Sequence, residues 1–372
     1  MNATRVCGAG GVVALLAMIC SAEAVAGTTA YTALDLTPSG FVQSYAWGTS
    51  GGQQVGEGWG PATGNYTHAL LWSGSAASCV DLHPNGFTIS GAMGTSGTQQ
   101  VGQGFGPATG GYYHALLWNG SGAGCVDLHP SGFTQSSLYG TSGGQQVGKG
   151  QGPAPGNYTH ALLWSGSAAS CVDLHPSDFT SSCACGTSGT QQVGWGYGET
   201  GFHALLWSGS AATCIDLHPS GFAGSEALCT NGTQQVGCSN DGGPAGGGIH
   251  HALLWYGTAA SCIDLNPNGF TDSVARGTNG TQEVGDGAGP ATGNYTHAML
   301  WNGSADNYVD LHQFLPSEFR NSHAQAIDES GNIVGYATDT EGYKHAILWQ
   351  VPEPATLALL ALGGLMAFRR RR

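Results

Sequence analysis

The chain has 372 residues, of which 64 are glycine and only 9% are charged. Between Gly27 and Gln350 it carries four basic residues, Lys149, Arg276, Arg320 and Lys344, against 21 acidic ones, a net charge near −17. Nucleic-acid binding needs cations to displace phosphate counterions, so that partner class is excluded. The supply of Trp, Tyr and Phe excludes a chain too polar to pack a core.

The N-terminus opens with Arg5, an apolar stretch from Gly10 to Cys20 and the small-x-small pattern Ala24-Val25-Ala26. The apolar stretch is too short for a comfortable membrane span, and residues 1–26 read as a secretory signal peptide. Lipid attachment at Cys20 is disfavoured, because bulky Ile19 precedes it where a small residue is wanted.

Residues 27–350 are repetitive. The pentad HAxLW begins at His68, His114, His160, His203, His251, His297 and His345, spaced by 43 to 48 residues. Asp-Leu recurs at Asp35, Asp81, Asp127, Asp173, Asp216, Asp264 and Asp310. Val-Gly recurs at Val55, Val101, Val147, Val193, Val236, Val284 and Val334, which gives seven complete units. Each unit offers four short apolar runs, and SGG, SGT or NGT turns join the second run to the third as a hairpin. Four strands in about 46 residues is the size of one propeller blade, so the chain is expected to be all-β, a seven-bladed β-propeller of four-stranded blades. A β-solenoid competes poorly, since its coils need fewer residues and an open array needs distinct caps. The stretch THALLWSGSAASCVDLHP at 67–84 is expected to be a seam, with HALLW closing one unit and CVDLHP opening the next.

That stretch also groups His68, Cys79, Asp81 and His83, which invites a metal-site reading. The set is not kept from unit to unit. The Cys79 position becomes Ala33 and Tyr308, and the His83 position becomes Thr37 and Asn266, so neither a metal nor a cofactor is expected. The HAxLW histidine, its Trp (Trp72 in the first pentad) and the Asp persist, which points to a structural His–Asp hydrogen bond repeated in each unit. No unit gains a nucleophile, an acid/base pair or a charged cluster of its own on this reading, so no catalytic residues are expected.

Nine cysteines lie in the body, and Cys229 and Cys238 flank one hairpin turn as a candidate disulfide. The loops between Val-Gly and HAxLW place Trp59, Phe105, Tyr197 and Asp241 on a common end of the ring as candidate ligand-binding groups. Asn240-Asp241 and Asp339 to Glu341 fall short of a calcium ligand set.

The last unit, with AQAIDESGNIVGYA followed by HAILW, resembles the HAF repeat of extracellular bacterial proteins. Earlier copies depart from it, with Leu or Met where the family name has Phe. The resemblance implies an extracellular location and no particular activity.

Residues 351–372 contain Pro352-Glu353-Pro354, an apolar run from Ala355 to Phe368, and Arg369, Arg370, Arg371 and Arg372. The run has 14 residues, short of the roughly 20 of a membrane span, so it reads as a marginal transmembrane helix held by its arginines. These parts, in this order at the terminus, resemble the PEP-CTERM sorting signal. The resemblance implies an exosortase partner, transient inner-membrane anchoring, and delivery to the cell surface or extracellular matrix of a Gram-negative-type bacterium that makes exopolysaccharide. Together these readings give an exported, non-catalytic binding or structural component associated with exopolysaccharide. The alternatives are a glycan-active propeller enzyme (hydrolase or lyase) and a protein-interaction scaffold.

Overall fold

The computed structural model describes residues 31–152, 158–239 and 249–351. The signal peptide, the sorting residues Pro352 to Pro354 and Arg369 to Arg372, the C-terminal apolar helix and Asp241 therefore lie outside the described residues. Among the described residues no helix is long and apolar enough to cross a membrane.

The described chain forms seven four-stranded antiparallel sheets, the blades of a β-propeller. In blade 1 the strands are Gln43–Ser50, Gln53–Trp59, His68–Trp72 and Val80–Asp81, counted outward from the axis. Blades 2 to 6 repeat this order. In blade 7 the strands Phe319–Ile327, Ile333–Asp339 and Lys344–Gln350 are completed by the strand Thr32–Asp35, so the ring is closed by its first and last described strands. The expected seam moves as a result. Val80 and Asp81 pair with Leu71 and Leu70 of HALLW, so Asp-Leu ends a blade, and the crossing to the next follows it. The reason is the SGSAAS segment, which folds into a tight 3-10 turn and returns the chain antiparallel.

Apolar side chains are buried between blades. Trp118, Leu116 and Ala92 of blade 2 pack on Val55, Ala69 and Leu71 of blade 1, and all seven pentad tryptophans are fully buried. Cys125 joins this cluster, and burial together with the Asp127 charge pushes its thiol up to about 12, so it packs as a small apolar group. Polar bonds cross each joint too. Ser90 Oγ accepts from the Ala69 amide at 3.0 Å, and the same bond links every blade to its neighbour, Ser44 to Ala346 across the closure included.

These serines explain the varying position after Asp-Leu. His83 Nε2 donates to the Phe87 carbonyl, so its Nδ1 accepts from the Ser90 hydroxyl at 2.8 Å. Thr37 bonds Ser44 at 2.9 Å and Asn266 accepts from Ser273 at 2.7 Å, which keeps the link with different chemistry.

Each pentad histidine donates from Nδ1 to the Asp of its own sheet at 2.7 to 2.8 Å. The Asp side chains are 32–49% exposed, so these bonds lie at the rim rather than in the core. Cys229 and Cys238 are free thiols. Cys229 stands opposite Val236 and Cys238 opposite Glu226, so the hairpin register separates the expected disulfide partners.

Candidate functional site in the axial channel

The innermost strands converge on the axis. A Cβ on Gly48 would lie 3.1 Å from Gly94 Cα, and one on Gly94 would lie 3.3 Å from Gly140 Cα, so only glycine lets these neighbours approach. They form a throat at the hairpin end, with a cavity of about 240 Å³ that touches every blade.

Each innermost strand carries a β-bulge just before this position, which is glycine in five blades and Cys229 or Ala326 in the other two, and a bulge re-aims the extra side chain. The bulged residues are Trp47, Met93, Tyr139, Cys185, Leu228, Arg276 and Gln325, and all seven line the channel. Two further rings lie beside them. On the second strands the residue after Val-Gly is Glu57, Gln103, Lys149, Trp195, Cys238, Asp286 or Tyr336. Opposite these on the first strands are Tyr45, Gly91, Ser137, Cys183, Glu226, Val274 and His323. No residue type occurs twice within any of the three rings, although the surrounding units are nearly copies. Packing positions repeat while the positions in these three rings are each distinct, which makes them the candidate site on an otherwise uniform scaffold.

Blades 6 and 7 place charged groups together. Arg276 Nε donates to Asp286 Oδ1 at 2.7 Å, and His323 Nδ1 lies 3.3 Å from the same oxygen. Burial opposes the Asp286 charge, but the Arg276 guanidinium, helped by His323, outweighs it and holds the carboxyl at about 2. Tyr336 stacks on His323 with ring centroids 4.6 Å apart and meets Tyr45 edge-on at 5.1 Å. Burial and the Asp286 charge push the Tyr336 hydroxyl up, so it stays a proton donor.

In blade 1 burial pushes Glu57 up to about 7, against the pull of the Trp47 indole. A Cβ on Gly91 would overlap Glu57 Oε2, so this glycine makes room for the carboxyl. Blades 2 and 3 contribute a polar stretch in which Ser137 donates to Gln103 at 2.7 Å and Lys149 lies over the Tyr139 ring at 5.6 Å.

The candidates expected on loops sit at the strand ends beside these rings. Trp59, Phe105 and Tyr197 stand opposite Gln43, Ile89 and Ser181. Tyr197 packs on Phe202 at 4.9 Å and remains 46% exposed, while Phe105 packs on Tyr113 at 5.5 Å. The channel residues themselves were missed because their signal is inverted: it lies in the positions that fail to repeat.

Residues 350–372 match the PEP-CTERM protein-sorting motif, which marks the protein for export, exosortase processing and cell-surface sorting. This match covers the tail and does not extend to the HAF resemblance of the repeats. No curated protein sequence matches the chain.

Solved propellers share the fold. A puromycin hydrolase matches with a TM-score of 0.57 at 11% identity, over 85% of this chain and 55% of that one. An oligogalacturonate lyase from Vibrio parahaemolyticus matches with a TM-score of 0.52 at 12% identity, over 86% of this chain and 94% of that one. The propeller domain of the Trilobed protease from Pyrococcus furiosus, described as having an open velcro topology, matches with a TM-score of 0.53 at 7% identity, over 84% and 100%. The chain thus spans about half the length of the puromycin hydrolase it matches.

These findings correct the expectation of a non-catalytic binding or structural component. That reading assumed that no unit adds its own charged cluster, yet Arg276, Asp286 and His323 form one where blades 6 and 7 meet. The solved propellers are named as a hydrolase, a lyase and a protease.

Proposed function

We propose that this exported protein is a glycan-active enzyme that cleaves glycosidic bonds by acid–base chemistry where blades 6 and 7 meet beside its axial channel. The observation that carries the reading is the His323–Asp286–Arg276 cluster. Asp286 is fixed and ionised by Arg276, and it faces Nδ1 of His323, which leaves Nε2 to act as general base, taking a proton from the water whose oxygen bonds the anomeric carbon as the glycosidic C–O bond breaks. Tyr336, stacked on His323 and protonated, is the donor to the departing sugar oxygen. Support also comes from the oligogalacturonate lyase, whose chain is matched over 94% of its length by the propeller alone. Cell-surface sorting puts such an enzyme where extracellular glycans are found.

The test is release of new reducing ends from acidic and neutral polysaccharides by the mature protein. His323→Ala should lower the rate by about 10²-fold or more with the fold intact. Activity on no polysaccharide, or an unaffected His323→Ala variant, would overturn the reading.

A further inference from the structure

The body has four basic side chains, of which Arg276 lines the axial channel and Lys149 stands opposite Ser137 on the second strand of blade 3. Arg276 is consumed by Asp286. Lys149 is not: among the described residues it makes no ion pair, and its recorded partner is the Tyr139 ring. An ammonium left unpaired on a chain so rich in carboxylates is a directed feature, because a neighbouring acid would be easy to supply and would neutralise it.

Lys149 lines a cavity of about 320 Å³ between blades 2 and 3, together with Gln103, Tyr113, Gln135, Ser137 and Gln151. The lining contains amides, hydroxyls and one cation, and no carboxylate. Ser137 uses the Gln103 carbonyl oxygen, which leaves the two Gln103 N–H donors to a ligand. Gln103 and Tyr113 also line an adjoining cavity of about 220 Å³ around Glu57 and Gly91, so the two spaces follow one another along the ring. Many neutral donors and acceptors, an aromatic edge and a single cation match a polyol that bears one negative charge per unit. This is the chemistry of a uronic acid residue.

We propose that the cavity between blades 2 and 3 is a subsite for a carboxylate-bearing sugar, whose carboxylate is held by Lys149 and whose hydroxyls are held by Gln103, Gln135 and Gln151. The inference rests on the glycan-active reading and adds the substrate class to it: an acidic polysaccharide.

The test is equilibrium binding of a defined uronic-acid oligosaccharide to the mature protein by calorimetry, which needs no turnover. The expected result is saturable binding that Lys149→Gln weakens about tenfold and Lys149→Arg restores. A neutral gluco-oligosaccharide should bind at least tenfold more weakly than the uronide. His323→Ala should leave binding intact while it abolishes cleavage, so loss of turnover and loss of the subsite are read separately. Equal binding of the neutral oligosaccharide, preference for a sulfated one, or an unaffected Lys149→Gln variant would each overturn the proposal.

Discussion

Ser44 Oγ accepts the Ala346 amide proton at 3.0 Å, joining two residues that are 302 positions apart in sequence. The same bond joins blades elsewhere across 21 to 24 positions. At the closure it acts beside the pairing of Thr32–Asp35 with Ile347–Gln350, so the first and last described strands are held by backbone and side chain together. Ser44→Ala leaves a buried amide without its partner, which costs about 1–3 kcal/mol. The melting temperature should fall about as far for Ser136→Ala, which breaks an internal joint. Ser44→Ala alone should also speed proteolysis near residue 36, because it loosens the joint beside the closing strand Thr32–Asp35. Equal protease sensitivity of the two variants would show that the closure is no weaker than the other joints.

Glu57 provides a pH test. Its folded-state value of about 7 lies above the ordinary glutamate value, through burial. A carboxyl raised in the folded state favours folding fully below its unfolded value, and the contribution is lost as pH rises through the folded value. Stability should therefore fall between about pH 4.5 and 7, by roughly 3 kcal/mol. Glu57→Gln should flatten that interval in denaturant titrations. An unchanged slope would show that the carboxyl is hydrated in the channel. Gly91→Ala should push the carboxyl out of its niche and lower the stability at every pH.

The ring itself was legible in the sequence because packing positions repeat. Trp72, Asp81, Val55 and Ser90 perform one job in every blade, so recurrence reports them directly. The blade boundary was not legible, since pairing of Val80-Asp81 with HALLW depends on the turn geometry of SGSAAS. The channel cluster was hidden for another reason. Arg276 and Asp286 are ten residues apart and look like unit-to-unit scatter, and His323 belongs to a different unit. The bulge, which re-aims position 276, and the register across the hairpin bring Arg276 to Asp286, and the packing of blade 7 on blade 6 adds His323.

The pentad tryptophans allow a paired comparison. Trp349 Nε1 donates to the Leu311 carbonyl at 3.1 Å, whereas Trp164 Nε1 is buried without a partner. Replacing Trp by Phe removes similar apolar area at both sites, but different polar consequences follow. Trp349→Phe loses a hydrogen bond and leaves a carbonyl unpaired, whereas Trp164→Phe removes a donor that was already unsatisfied. Trp349→Phe should be the more destabilising by about 1 kcal/mol in chemical denaturation. Equal losses would show that water or local adjustment satisfies Trp164.

His345 differs from the other pentad histidines in having two carboxylates. Its Nδ1 bonds Asp35 on the closing strand at 2.8 Å, and its Nε2 lies 3.4 Å from Asp339. Glu318 and Glu341 line the same cavity of about 300 Å³, so every titratable group around the imidazole there is acidic. The hydrogen bond to Asp35 raises the His345 pKa, burial opposes it, and Asp339 adds to the rise. A histidine raised in the folded state contributes stability that is complete below about pH 6.5 and is lost as pH rises through the folded value. The closure should therefore be tighter in mildly acidic medium. Hydrogen exchange at the Thr32–Asp35 amides should be better protected at about pH 6 than at about pH 8, after correction for intrinsic rates. His345→Gln should remove the difference and Asp339→Asn should reduce it. The same protection ratio in all three proteins would mean that backbone pairing alone holds the last strand.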